Sequence, residues 1–245
     1  MHTTSTLDPA EIAKFATTAH AWWDEKGPFA PLHRLNPARL AYIRDRAAAR
    51  FGPPASRRRP LEGLRVLDIG CGGGLVSEPL ARLGARLTAI DAEGETLQIA
   101  QAHALAQGLS ITYSQASAED LAHKGLQFDL VIAMEIIEHT ADVGAFLTAA
   151  AALTAPGGLL ILSTINRTLM AKALAVHAAE HLLRWVPAGT HDPEKLVKPE
   201  EIAAPLRALG LEVDAPVGLS LDLGKGGFRL SADVRMNYLI AAERR

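Results

Sequence analysis

The stretch Val66-Leu67-Asp68-Ile69-Gly70-Cys71-Gly72-Gly73-Gly74 constrains this chain's fold more than any other. An apolar run stops abruptly in glycines, and a helical pattern follows from Leu75. That order predicts a buried strand, a tight turn and a helix N-terminus. Glycines in the turn let a ligand approach the backbone closely, because no Cβ stands in the way. In an open α/β sheet, ligands bind outside the carboxyl ends of the strands. The turn therefore marks the expected active-site edge.

The rest of the chain reads as such a sheet. Strands are expected at 65–69, 86–90, 111–114, 128–133 and 159–164, and helices at 75–83, 95–107, 118–123 and 141–153. Pro156-Gly157-Gly158 reads as a turn before the fifth strand. This alternation argues a mostly parallel sheet covered by helices on both faces. Three later strands, at 211–213, 219–221 and 234–242, complete it.

Ahead of the sheet, Asp8-Pro9 can start a helix that carries Trp22-Trp23 and breaks at Gly27-Pro28. Asn36-Pro37 can cap a second helix containing Arg39, Tyr42, Ile43 and Arg46. Residues 52–60 read as a linker whose three arginines form a solvated loop. The expected division is an N-terminal helical extension and linker over 1–60, then one main domain over 61–245.

Apolar residues at 49% and charged residues at 21% suit a globular chain with a real core. A net charge of −2 gives no bulk electrostatic case for nucleic acid. The lone Cys71 rules out an internal disulfide and fits a reducing compartment. Met1 to Ala10 lacks the apolar core of a signal peptide, and no run reaches the ~18 apolar residues of a spanning helix. These features lead to a cytoplasmic expectation that leaves peripheral membrane contact open.

The glycines read Gly70-x-Gly72-x-Gly74. A dinucleotide fingerprint needs glycine or alanine three positions after Gly72, and Leu75 stands there. Asp91 ends the second apolar strand, at the sheet edge beside the turn, where an acid can accept both ribose hydroxyl hydrogens. Its other reading is an N-cap for the helix near Glu93. Asp68 lies inside an apolar strand, which is costly unless it meets donors. Turn amides or a cationic cofactor are its expected partners.

A second cluster follows strand four. Met134-Glu135-Ile136-Ile137-Glu138-His139 brings two carboxylates and an imidazole to the same edge. Wound as a helix, Glu135, Glu138 and His139 share a face. Three readings are open, one being that Glu138-His139 is no more than a polar entry to the helix after strand four. In the other two, Glu135, Glu138 and His139 ligate Mg²⁺ or Mn²⁺, which suit oxygen-rich ligation; or no metal is used, and His139 or Glu138 is the general base. Met134 reads as a pocket-lining residue.

The glycine motif and Asp91 resemble the class I S-adenosylmethionine-dependent methyltransferases. That resemblance implies a Rossmann-like class I methyltransferase fold with a mostly parallel seven-stranded sheet. A narrower likeness rests on several segments in order: Trp22-Trp23-Asp24, Pro31-Leu32-His33-Arg34-Leu35-Asn36-Pro37-Ala38-Arg39-Leu40, Gly70–Gly74, Met134–His139, Ser163-Thr164-Ile165-Asn166-Arg167 and Val186-Pro187-Ala188-Gly189-Thr190-His191-Asp192. Together these resemble the ubiquinone-biosynthesis O-methyltransferases from about Glu11 to Tyr238. The resemblance implies S-adenosylmethionine as methyl donor, held by Arg39, Gly70, Gly72, Asp91 and Met134. It also implies methylation of a polyprenylated catechol and of demethylubiquinol, with other ubiquinone-biosynthesis enzymes as partners. Mitochondrial relatives suggest metal ligation at Glu135, Glu138 and His139. Arg39 suits a cofactor carboxylate, because arginine forms charge-assisted pairs well.

A helical insert is expected over about 166–190. Within Leu169–Val186, polar and apolar residues fall on opposite faces around Trp185. That suits an interfacial helix admitting a lipid substrate, or an ordinary amphipathic helix packed on the core. His191 and Asp192 follow as phenol-orienting or capping residues. Rival functions are an O-methyltransferase for another small phenol, and a non-catalytic quinone- or lipid-binding module. An NAD-dependent oxidoreductase is opposed by Leu75.

Overall fold

The structure is a computed structural model that describes residues 6–8, 19–53, 56–172, 195–222, 224 and 226–245. The first helix expected from Asp8-Pro9, most of the 169–186 insert, and His191 and Asp192 fall mainly or wholly outside them.

Among the described residues nine strands build one sheet: β1 Arg65–Ile69, β2 Arg86–Asp91, β3 Thr112–Gln115, β4 Phe128–Met134, β5 Thr154–Ile165, β6 Leu211–Val213, β7 Val217–Asp222, β8 Gly227–Ser231 and β9 Asn237–Arg244. Their order is β3-β2-β1-β4-β5-β9-β7-β8, with β6 also paired to β9. The first five are mutually parallel, while β9 runs antiparallel to β5, β6 and β7. The seven strands that the resemblance implies become nine, of which the residue pattern itself sets 211–213 and 219–221 apart. The sixth is split, with β6 opposite 242–244 of β9 and β7 opposite 237–239. In addition, β8 forms a hairpin edge on β7.

Strand alternation explains why the sheet carries helices on both faces. Leu67, Val131, Leu160, Leu162 and Ile240 pack with α4 (Ala118–His123), α5 (Val143–Leu153) and α6 (Pro199–Ala208). Their neighbours Val66, Leu130, Leu159, Ile161 and Leu239 pack the other way, against α1 (Ala30–Phe51) and α2 (Ser77–Arg82). Side chains at successive strand positions point to opposite faces, so near-continuous apolar runs suit a sheet buried on both.

Two local expectations are corrected. Asn36-Pro37 does not start α1; Pro31 lies in its first turn and Pro37 inside it. The Asn36 amide is instead buried and donates to Leu75 O at 2.9 Å, tying the helix to the glycine turn. Pro156-Gly157-Gly158 does not precede β5 but lies within it, beside a register shift between Phe128 and Leu130.

The short Ala19–Ala21 3-10 turn leads into Trp22 and Trp23. Trp23 stacks on His103 of α3 (Gly94–Ala106), with ring centroids 3.6 Å apart and planes at 12°. His103 Nδ1 lies 2.5 Å from Glu78 Oε1, and Glu78 is almost fully buried. Replacing His103 with Ala removes both contacts and is expected to cost about 1–3 kcal/mol, chiefly by leaving Glu78 short of a partner. Urea unfolding followed by circular dichroism measures it; a midpoint equal to wild type would show that the contact carries no stability.

Candidate active site

The carboxyl ends of β1, β2, β4 and β5 converge on one edge. After β1, Gly70, Gly72 and Gly74 adopt φ of 69°, 51° and 88°, the left-handed region that glycine enters without penalty. The Gly70 and Cys71 amides donate to Ile90 O at 2.8 and 3.0 Å, folding the turn back over β2.

Asp91, at the end of β2, receives the Gly72 N–H on Oδ2 at 2.8 Å and the Glu93 N–H on Oδ1 at 3.0 Å. It does not cap α3; Glu93 does, accepting from the Glu95 and Thr96 amides. Burial raises the Asp91 pKa, and those two amides oppose the rise. Asp68 is not satisfied by the turn amides. The Ser77 hydroxyl donates to its Oδ2 at 2.6 Å. Burial still pushes Asp68 up to about 7.

The segment after β4 departs from the expected helix. Glu135 takes φ 54°, rare for a residue with a side chain, and only Ile137–His139 makes a 3-10 turn. Glu135 Oε1 accepts from Ser163 Oγ at 2.8 Å and lies 2.9 Å from Arg39 Nη2. Its Oε2 accepts from Asn237 Nδ2 at 3.0 Å. Glu138 is buried; its Oε2 accepts from Thr164 Oγ1 at 2.7 Å, while its Oε1 has no hydrogen-bond partner. Burial and the nearby Glu135 push Glu138 up to about 7, against the lowering effect of His139.

Glu135, Glu138 and His139 do not fit a metal ion in this arrangement. Both Glu135 oxygens are engaged by Arg39, Ser163 and Asn237, and Glu138 turns towards Thr164. Among the described residues no group of three or more His, Cys, Asp or Glu could hold one. The shared helical face required a helix from Glu135 onward, and the positive φ at Glu135 removes it.

Arg39, on α1, is 2% exposed, and its Nε and Nη2 make no hydrogen bond although Nη2 pairs in charge with Glu135. Such a cation is suited to a second anionic group. Met134 is buried at the end of β4, and the Ile136 side chain packs against Gly70. The edge thus unites Arg39, Gly70, Gly72, Asp91, Met134, Glu135, Glu138 and His139. Sequence reading missed Ser77, Ser163, Thr164 and Asn237, the residues that fix these carboxylates. The only hint was the quoted Ser163–Arg167 segment.

A family model described as a methyltransferase domain matches residues 33–215. The ubiquinone biosynthesis O-methyltransferase of Rhizobium leguminosarum bv. trifolii is 50% identical over 240 residues, covering 98% of this chain and 95% of the relative. The chain belongs to that family. The enzyme of the same name from Caulobacter sp. strain K31 is also 50% identical, covering 96% of this chain and 93% of its own. Among solved structures, magnesium protoporphyrin IX methyltransferase from Synechocystis PCC 6803, with bound SAH, matches at a TM-score of 0.62 and 21% identity. It covers 95% of this chain and 94% of that one. A SAM-dependent methyltransferase from Aquifex aeolicus matches at 0.58 and 17%, covering 96% and 98%. These two likenesses carry the fold: a Rossmann-like class I methyltransferase. Family membership makes the chain an O-methyltransferase of ubiquinone biosynthesis.

Proposed function

We propose that this enzyme methylates the free hydroxyls of 2-polyprenyl-6-hydroxyphenol and 3-demethylubiquinol, with S-adenosylmethionine as donor. One observation carries the chemical reading. A buried carboxyl whose pKa is raised towards neutrality, Glu138, keeps one oxygen unpartnered just past the carboxyl end of β4, on the sheet edge that also carries the glycine turn. When bound, S-adenosylmethionine supplies a methyl on a cationic sulfur, already activated for in-line attack. This chain's residues fit it. Arg39 would hold the carboxylate, Asp91 the ribose hydroxyls, and Gly70 and Gly72 the close backbone approach; Met134 would line the apolar wall.

Ionised Glu138 would take the phenol proton at Oε1 as the phenol oxygen attacks, and His139 would steady the charge. A general base works best with a pKa near the operating pH. No step is routed through a metal here, because both Glu135 oxygens are taken by Arg39, Ser163 and Asn237.

Membrane contact through 169–186 is a further proposal resting on the residue pattern. Among the described residues no helix is long and apolar enough to cross a membrane. Liposome flotation with and without that segment tests it; equal flotation of a folded deletion variant would refute it.

The main test is incubation with labelled S-adenosylmethionine and a short-chain prenyl catechol, with Mg²⁺ or with chelator. Methyl transfer to the catechol is expected, and its rate is expected to survive chelation. No transfer in any condition would overturn the functional reading. Loss on chelation alone would restore a metal role. Equal turnover of unprenylated catechols would favour an enzyme for another small phenol.

A further inference from the structure

Arg39, Asp91 and Glu138 each have a task in the proposed reaction, whereas the tryptophan that touches the glycine turn has none. Trp22 is 8% exposed although it lies just past a 3-10 turn, outside any long helix. Its indole bears on the turn's backbone. A Cβ built on Gly72 would stand 2.5 Å from Trp22 Cη2, and one on Gly73 would stand 2.4 Å from Trp22 Cγ. Real side chains do not approach so closely, so the indole itself demands glycine at both positions. At Gly72 a φ of 51° adds a backbone demand. Gly73 is absent from the positive-φ residues, so space under the indole is its reason for lacking a side chain.

Trp22 is held from behind. The Phe29 ring stacks on it with centroids 3.8 Å apart and planes within 6°. His33 Nε2 lies 2.9 Å from Trp22 O. The adjacent Trp23 is anchored separately on His103. An aromatic side chain fixed at this many points acts as a firm support and not as a loose cover.

What it supports is the amide that aims Asp91. Gly72 N–H donates to Asp91 Oδ2, while Glu93 N–H fixes the other oxygen. We infer that Trp22 is a positioning residue of the cofactor site. It pins Gly72 and Gly73 and, through the Gly72 amide, holds the Asp91 carboxylate in the orientation that receives a ribose. The inference rests on the proposed cofactor reading.

A double-mutant cycle tests it. SAH is titrated by calorimetry into wild type, Trp22→Phe, Trp22→Ala, Gly73→Ala and the Gly73→Ala/Trp22→Ala double variant. Steady-state constants for the cofactor are measured alongside. Gly73→Ala should weaken SAH about tenfold or more in the wild-type background, since an overpacked methyl must displace the indole. In the Trp22→Ala background the same change should cost less than about twofold, because the obstructing ring is gone. Trp22→Ala should raise the cofactor KM about tenfold with kcat within about threefold, and Trp22→Phe should restore most of the affinity. Should Trp22→Ala not fold, Trp22→Leu completes the same cycle.

An equal Gly73→Ala loss in both backgrounds would overturn the inference, because the space over Gly73 would then belong to the ligand. So would a Trp22 variant that melts earlier yet binds SAH as wild type does. A wild-type protein that binds no SAH would instead remove the cofactor reading itself.

Discussion

Glu138→Gln should lower kcat by about 10²–10⁴-fold, the usual worth of a positioned general base, and leave the protein as stable as before or more so. The two effects part because the carboxylate is buried. Ionised Glu138 would sit in a low-polarity site beside Glu135, whereas a neutral amide keeps the shape without the charge. Thr164 can still donate to the amide oxygen, as it does to Oε2 now. Variant kinetics under saturating substrates give the first effect, and thermal unfolding gives the second. A variant keeping more than about a tenth of wild-type kcat would pass the proton-acceptor role to His139.

The same burial fixes how stability and activity respond to pH. Glu138 and Asp68 hold their protons up to about pH 7 in the folded chain, while unfolded carboxyls release theirs near ~4. Between those values the folded state binds more protons. Unfolding free energy therefore falls as pH rises, by roughly 1.4 kcal/mol per pH unit for each such group. This contribution is fully present below ~4 and lost as pH rises through 7. Activity runs the other way, rising as Glu138 ionises. Melting temperatures of wild type should thus decline more steeply from pH 5 to 8 than those of Glu138→Gln. Parallel slopes would mean that Glu138 is ionised throughout.

The strands were legible because burial on both faces leaves little choice of residue. Runs such as Leu130-Val131-Ile132 feed both cores. β8 was not, since Gly227–Ser231 is a partly exposed edge with no apolar run to mark it. The site residues were legible as types, at the ends of strands two and four. Their arrangement was not. Glu135 is set by Ser163 and Asn237, which lie 28 and 102 positions away along the chain, and by Arg39 from a different helix. No local periodicity encodes such partners. Reading Glu135, Glu138 and His139 as one helical face assumed φ values that Glu135 does not take.

Arg39→Met should destabilise the protein by about 3–5 kcal/mol, as breaking one side of a buried ion pair does, and should reduce SAH binding below detection by calorimetry. The stability loss follows from Glu135, which is only 12% exposed and would lose the cation 2.9 Å away. Ser163 and Asn237 would still donate to it but would not neutralise it. The binding loss has a separate origin, the unused hydrogen-bonding capacity of Arg39 Nε and Nη2. The double variant Arg39→Met/Glu135→Gln distinguishes the two. With no charge left to bury, most of the stability should return, whereas SAH affinity should not. If both return together, Arg39 serves only to neutralise Glu135, and the cofactor's carboxylate must be held elsewhere. If stability returns alone, Arg39 both neutralises Glu135 and holds the cofactor's carboxylate through the hydrogen-bonding capacity that Glu135 leaves unused.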